Sequence, residues 1–396
     1  MSLAVLTKTR GSGLKHAYRA LKLIWLNLSI LIFGAIFLEL FAFTYYLVRK
    51  SLWDPADPTA EEVKKLPGDS YADRSWLVPA LHETFEPRMQ WTPYTYYHRE
   101  PFSGTYVTVD RNGIRRTWNT PTTDPIKIYM FGGSTMWGTG ARDDYTIPSC
   151  LSKMLAETFP ARVQVTNYGE TGYVNTQEMV DLFRELQAGN RPDVVIFYDG
   201  YNDAFSALQQ HVAGLTQNEF NRSAEFNILN PSRAHDLYLE VLKRSNIYNL
   251  MRGLRKHVVG EKPVPPLSPE QETQLVSDVM RVYLANTTLI ESIGKTMGFT
   301  TMFYWQPSVY SRSKATLYEQ SWMQESEHRF FTETVAAAKH SSLAAKPSFH
   351  DISDVFDGYE GTLYVDYAHT TERGNEIIAR RMYQDVAPLL KERIGR

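Results

Sequence analysis

What most restricts the fold is a pattern that begins at residue 126. Four runs, IKIYMFGG, VQVTNYG, DVVIFYDG and FTTMFYWQP, are rich in apolar and β-branched residues and stop abruptly at glycine or proline. Between them lie IPSCLSKMLAETF and TQEMVDLFRELQAG, whose apolar residues recur at helical spacing. A third helix follows the capping box Ser268-Pro269…Gln271 and puts Val276, Val279, Tyr283, Ile290 and Ile293 on one face. TTERGNEIIARRMYQDVAPLL reads as a last helix. Strands that do not alternate are buried on both faces, and strands alternating with helices build a parallel sheet between two helical layers. The expected fold is therefore α/β, a three-layer sandwich. In such sheets ligands bind beyond the carboxyl ends of the strands.

A second constraint lies at the N-terminus. Residues 24–48 read IWLNLSILIFGAIFLELFAFTYYLV. At about 1.5 Å per residue this run exceeds the ~30 Å hydrocarbon core of a bilayer. It is also longer than the ~7–15-residue apolar region of a secretory signal. It reads as a single uncleaved transmembrane helix. Lys8, Arg10, Lys15, Arg19 and Lys22 precede it, whereas Asp54, Asp57, Glu61 and Glu62 soon follow Arg49 and Lys50. The basic excess puts a short tail, 1–23, in the cytoplasm and the rest outside. Glu39 within the span is costly in lipid and calls for a partner.

The remaining organisation follows from punctuation. Residues 49–84, rich in Pro, Asp, Glu and Lys, read as a linker. Residues 85–125 carry the alternating TYVTV and the tight-turn signal Asn112-Gly113, so a small hairpin is expected there. The domain at 126–396 then has two excursions, at about 204–267 and 308–345. At 43% hydrophobic and 22% charged residues, the composition suits a full core. A net charge of −2 gives no field that would gather nucleic acid. Cys150 is the only cysteine, which excludes an intramolecular disulfide; within IPSCLSKML it reads as a core residue. His350-Asp351 is an isolated pair and no metal-ligand spacing occurs, so neither metal nor cofactor is expected. FGGSTMWGTG lacks the Gly-Lys-Ser/Thr ending of a phosphate loop.

The strand ends carry the chemistry. The first stops at Gly133-Ser134, and the second runs into NYGETGY with Gly172. The third ends in DGYND with Asn202, and the last loop before the final helix is DYAH, with Asp366 and His369. Singly, each has an ordinary use: Ser134 as a helix cap, Gly172 in a turn, Asn202 in an Asx-turn, Asp366 as a cap or ion-pair partner, His369 at the surface. Brought to one sheet edge they supply acyl-transfer machinery. A serine hydroxyl is a weak nucleophile and needs an adjacent base. His369 would take its proton, and Asp366 would fix the imidazole tautomer. The Ser134 and Gly172 N–H groups and the Asn202 amide would hold an oxyanion. Trp137, Tyr173 and Tyr201 adjoin these residues and are candidate pocket aromatics. WTPYTYYH reads as a packed flap.

In these blocks the chain resembles the SGNH (GDSL-like) hydrolases. GGSTMWG matches the serine block, NYGETGY the glycine block, GYND the asparagine block, and DYAHTTERGNEIIA the Asp-x-x-His block followed by a helix. The resemblance spans roughly 126–396. It implies a flavodoxin-like sheet, the triad Ser134, Asp366 and His369, and an oxyanion hole of Ser134, Gly172 and Asn202. One departure is that Gly133 stands where the family often has aspartate. The activity implied is ester hydrolysis, with acyl (acetyl) groups on envelope or exported glycans or lipid-linked molecules as the expected targets outside the cytoplasm. Acyl transfer with the same triad, and a non-catalytic glycan-binding or assembly module, are the alternatives. A protein partner could meet the membrane helix.

Overall fold

The computed structural model describes residues 3–53, 57–228, 242–259 and 267–395. The chain divides into two units, residues 59–222 with 266–396, and residues 1–58 with 223–265.

The larger unit opens with two antiparallel pairs, β1 (Met89–Thr92) with β2 (Tyr96–Arg99) and β3 (Phe102–Ser103) with β4 (Thr108–Val109). The main sheet has five strands: β5 (Ile126–Gly132), β6 (Val163–Asn167), β7 (Val194–Asp199), β8 (Thr300–Trp305) and β9 (Phe349–Asp351). Their order is β6-β5-β7-β8-β9 and every pairing is parallel. This is the flavodoxin-like order, with the chain reversing direction of travel at β5/β7, the place where such sheets open a crevice. The register aligns Phe131, Phe197 and Phe303 across three strands, with ring centroids 5.2 and 5.5 Å apart. Tyr168 stacks on Phe131 at 4.9 Å. Helices Ile147–Thr158 and Glu372–Ile394 pack together, while Asn175–Gln187, Tyr201–Gln210 and Glu325–His340 pack against the long helix Pro269–Met297. These are the two outer layers. Their joint burial of the sheet explains why Ile128, Met130, Val194, Val195 and Ile196 are wholly enclosed, and why their sequence does not alternate.

Three expectations change. β9 is a three-residue strand, too short to register in the sequence pattern; it pairs Phe349 with Phe303 and Asp351 with Trp305. Segment 308–345 is consequently no excursion. Its helix Glu325–His340 buries Phe330, Phe331, Thr334 and Ala338 as the crossover from β8 to β9. The supposed linker also folds. Helices Pro58–Lys65 and Leu77–Phe85 enclose a small core of Val63, Leu66, Tyr71, Trp76, Leu77 and Ala80. Its polar composition concealed a few apolar residues, at positions 63, 66, 71, 76, 77 and 80, that close on one another. The Asn112-Gly113 turn is present, with Gly113 at φ +80° and Val109 bridging Arg115. WTPYTYYH is part of the β1–β2 hairpin. Of the excursion at 204–267, helices Tyr201–Gln210 and Glu219–Ile228 are described, while 229–241 and 260–266, including most of the Pro-rich exit, lie outside the described residues.

In the smaller unit, Leu3–Trp53 is one helix. Its stretch His16–Arg49 is long and apolar enough to cross a membrane, by length and composition.

Candidate active site

The site begins where β5 ends. Gly133 caps the four-residue helix Ser134–Trp137, and Gly138, at φ +102°, ends it. A side chain on Gly133 would collide with the Asn202 amide, its Cβ falling 2.1 Å from Nδ2. Glycine thus lets the third strand's loop approach the serine turn. Behind the turn, the fully buried Arg115 donates to the carbonyls of Trp137, Gly138 and Ala141 at 3.1, 2.7 and 2.7 Å. Asp143 compensates its charge at 3.0 Å.

The last loop is brought over Ser134 by its own ties. Thr371 caps the helix Glu372–Ile394, accepting from the Gly374 N–H. Arg142, just beyond the serine turn, makes a two-pronged ion pair with Glu372 at 2.8 and 2.7 Å, and Asn375 donates to the Tyr145 carbonyl. His369 is thereby fixed with Nε2 2.6 Å from Ser134 Oγ and Nδ1 2.6 Å from Asp366 Oδ2. Asp366 Oδ1 accepts from the N–H groups of Ala368 and His369 at 2.9 and 2.8 Å.

The electrostatics follow from burial and pairing. Burial disfavours the charged imidazole, but the charge and hydrogen bond of Asp366 outweigh it and raise the His369 pKa above its ordinary value. Burial likewise opposes ionisation of Asp366, yet His369 and two backbone donors hold it below the usual carboxylate range. The pair therefore favours a negative Asp366 facing an imidazole ready to accept a proton.

Gly172 adopts φ +75°, a left-handed conformation that glycine enters freely. Its loop is clamped on both sides. Asn167 donates to the Trp137 carbonyl and accepts from the Gly169 N–H. Glu170 accepts from the N–H groups of Arg99 and Thr171 at 3.0 and 2.6 Å. Burial lifts Glu170 to about 7, against the lowering effect of Arg99. The Asn202 amide donates one hydrogen to the Tyr173 carbonyl at 2.8 Å, leaving the other free. Among the described residues neither the Ser134 nor the Gly172 N–H donates to a protein acceptor.

Ser134, Gly172, Asn202 and His369 line one cavity of about 110 Å³, together with Tyr201, Phe205, Gln217, Gln306 and Tyr367. Larger cavities, of about 710 and 740 Å³, lie beside Trp91 and Arg142, away from the serine. Of the three candidate aromatics, the structure puts only Tyr201 in the cavity wall. Trp137 is completely buried beneath the serine turn, with the guanidinium groups of Arg99 and Arg115 4.1 and 4.2 Å from its ring centre. Tyr173 is buried and turned to the hairpin, donating to the Tyr97 carbonyl. Adjacency in sequence placed both near the site, but the helical turn and the loop direct their rings inward.

Sequence reasoning passed over Phe205, Gln217, Gln306 and Tyr367. A signal existed for two: Tyr367 lies inside the Asp-x-x-His block, and Gln306 at the carboxyl end of β8. Next to Asn202, burial raises the carboxyl pKa values of Glu178, Asp199 and Asp203. Asp199 accepts from the Asn175 amide at 2.7 Å, and Asp203 from the Asn175 N–H at 3.1 Å. Among the described residues no group of His, Cys, Asp and Glu is arranged to hold a metal ion.

No family model and no curated protein matches the chain. Among solved structures it is similar to an acetyl xylan esterase, AlAXEase, at 12% identity over 66% of this chain and 100% of that one, with a TM-score of 0.37. It is similar to a putative arylesterase from Agrobacterium tumefaciens str. C58, at 15% identity over 66% and 98% of the two chains, TM-score 0.37. It is similar also to a member of the lipolytic protein G-D-S-L family from Veillonella parvula DSM 2008, at 13% identity over 65% and 96%, TM-score 0.33.

Proposed function

We propose that the chain is a membrane-anchored serine ester hydrolase of the SGNH type, acting outside the cytoplasm on small acyl groups, acetyl foremost. The observation that carries this reading is the continuous chain Ser134 Oγ–His369–Asp366, with 2.6 Å at each side-chain link. His369 takes the Ser134 proton as Oγ attacks the ester carbonyl. The C=O pair moves onto oxygen, and the Ser134 N–H, Gly172 N–H and free Asn202 hydrogen stabilise the oxyanion. Collapse expels the alcohol, which leaves with the proton from His369, and Ser134 remains acylated. Water then repeats the sequence, with His369 as base, and releases the carboxylic acid. Asp366 stays ionised throughout and stabilises the imidazolium.

Support for a short acyl group comes from the wall. Tyr201 stacks on Tyr367 at 5.5 Å and on Phe205 at 6.1 Å, and Phe331 backs it at 4.9 Å. A cavity of about 110 Å³ so enclosed offers little room for a long chain. The apolar helix and its flanking charges support the anchored, extracytoplasmic location, and with it an ester-bearing envelope or exported glycan, or a lipid-linked molecule, as substrate. The test is release of acetate from acetylated saccharides by the full chain in detergent, with and without an added saccharide acceptor. Hydrolysis gives free acetate in both arms, transfer gives acetylated acceptor in the second, and a non-catalytic protein gives neither.

A further inference from the structure

Glu39 has a partner within its own unit. Its Oε1 accepts from the backbone N–H of Asn246 at 2.6 Å and from the Asn246 amide at 2.8 Å, and Oε2 accepts from the Ile247 N–H at 3.2 Å. Asn246 and Ile247 open the helix Asn246–Val259, which lies against the anchor helix. Along residues 31–49 of the anchor, only Glu39, Ala42 and Tyr46 lose exposure. They form an i, i+3, i+7 stripe, and the small Ala42, 1% exposed, permits close approach.

Two otherwise unfavourable groups thus satisfy each other. A carboxylate in hydrocarbon is expensive, and so are the unpaired N–H groups at the start of a helix. The positive end of the second helix facing Glu39 answers both. The depth can be worked out from the span. About 20 residues cross the hydrocarbon. Counted from Leu23, just after Lys22, they end at Ala42 and leave Tyr45 and Tyr46 among the headgroups, where aromatic belts form. Glu39 then lies about 5 Å inside the boundary, within the ~5–10 Å at which amphipathic helices rest in a membrane surface.

The second helix has that character. Ile247 and Leu250 are half-buried, while Tyr248, Met251 and Leu254 stay 39, 64 and 58% exposed. In sequence, Arg252, Arg255 and Lys256 supply basic charge, as surface-lying helices do. The exposed apolar residues adjoin a helix whose own apolar side chains need lipid.

We infer that the helix Asn246–Val259 is a membrane-surface helix: it docks on the anchor through Glu39 and lays Tyr248, Met251 and Leu254 into the lipid on the side where the anchor's C-terminal end emerges. The inference rests on the anchor spanning the bilayer, as proposed above. The test uses the full chain, with its single cysteine, Cys150, replaced by serine, in vesicles of phosphatidylcholine and phosphatidylglycerol. An environment-sensitive fluorophore is placed at Met251→Cys or, as the control for the span, at Phe33→Cys. Nitroxide lipids carry the quencher either near the headgroup or near the chain end. The probe at 251 is expected to emit blue-shifted and to be quenched most by the shallow label, the probe at 33 by the deep one. Glu39→Leu is expected to return the 251 probe to a water-like, unquenched state while the 33 probe is unaffected. A water-like 251 probe beside a quenched 33 probe overturns the inference, including the case in which only another protein would cover this face. Quenching at 251 that survives Glu39→Leu overturns the docking through Glu39. An unquenched 33 probe overturns the anchor and the inference together. None of these readouts depends on ester hydrolysis, so failure of the catalytic reading is separate.

Discussion

Replacing Gly133 by alanine probes the proposed oxyanion hole from its back. Its φ of −77° suits alanine, so the backbone bears no strain. The new Cβ, however, would stand 2.1 Å from Asn202 Nδ2 and 3.2 Å from its Cγ. The amide is the end of a side chain and can move aside at small cost in stability. Once moved, it gives up both the Tyr173 carbonyl and the oxyanion. Loss of one such donor lowers kcat by about 10²–10³, or roughly 3–4 kcal/mol. Gly133→Ala is therefore expected to lose about that much in kcat on p-nitrophenyl acetate, with a Tm near the wild-type value. Asn202→Ala is expected to lose a similar factor. The informative measurement is the double variant. If the alanine acts by displacing Asn202, it has little left to remove in Asn202→Ala, and the two losses coincide. Losses that multiply, or an Asn202→Ala enzyme with unchanged kcat, would refute both the assigned role of Asn202 and the reason given for glycine at 133.

Other consequences can be checked alongside. Because Asp366 raises the His369 pKa and the ring must be neutral to take a proton, kcat/KM should rise with pH through a value above that of ordinary imidazole. Asp366→Asn should cost about 10⁴ in kcat and move that inflection to lower pH. On a series of p-nitrophenyl esters, acetate should be favoured over longer chains, with about 10-fold or more discrimination per step of poor fit, and Phe205→Ala should narrow the difference. For stability, burial raises Glu170 to about 7 and raises Glu178, Asp199 and Asp203 as well. The folded state then binds more protons than the unfolded chain between about pH 4 and 7, so stability falls as pH rises through that window. Urea midpoints from pH 5 to 8 should show the decline, with a shallower slope in Glu178→Gln.

The layered fold was legible because the central strands β7 and β8 are enclosed on both faces and so are written as near-continuous apolar runs, with helical periodicity between the strands. β9 was not: three residues, with His350 and Asp351 half-exposed, carry too little pattern. The folding of 57–85 was hidden because its core is small: before the short run Trp76–Leu81, Val63, Leu66 and Tyr71 stand apart among charged and turn residues. In the site, the glycine, asparagine, aspartate and histidine could be read from their places at strand ends. Trp137 and Tyr173 misled because sequence adjacency does not fix side-chain direction. The supports were invisible for a different reason. Arg99, Arg115 and Glu170 act through contacts set by the hairpins and the tertiary fold, such as the Arg99 N–H on Glu170. Nothing local distinguishes them from surface charges.

The central claim is that the Ser134 hydroxyl is a nucleophile sharpened by His369. A fluorophosphonate reacted with the purified full chain, followed by digestion and mass spectrometry, reads this directly. The adduct should fall on Ser134 and be nearly lost in a folded His369→Ala variant. Absence of an adduct at Ser134 in the folded wild-type chain, or undiminished labelling without His369, would contradict it.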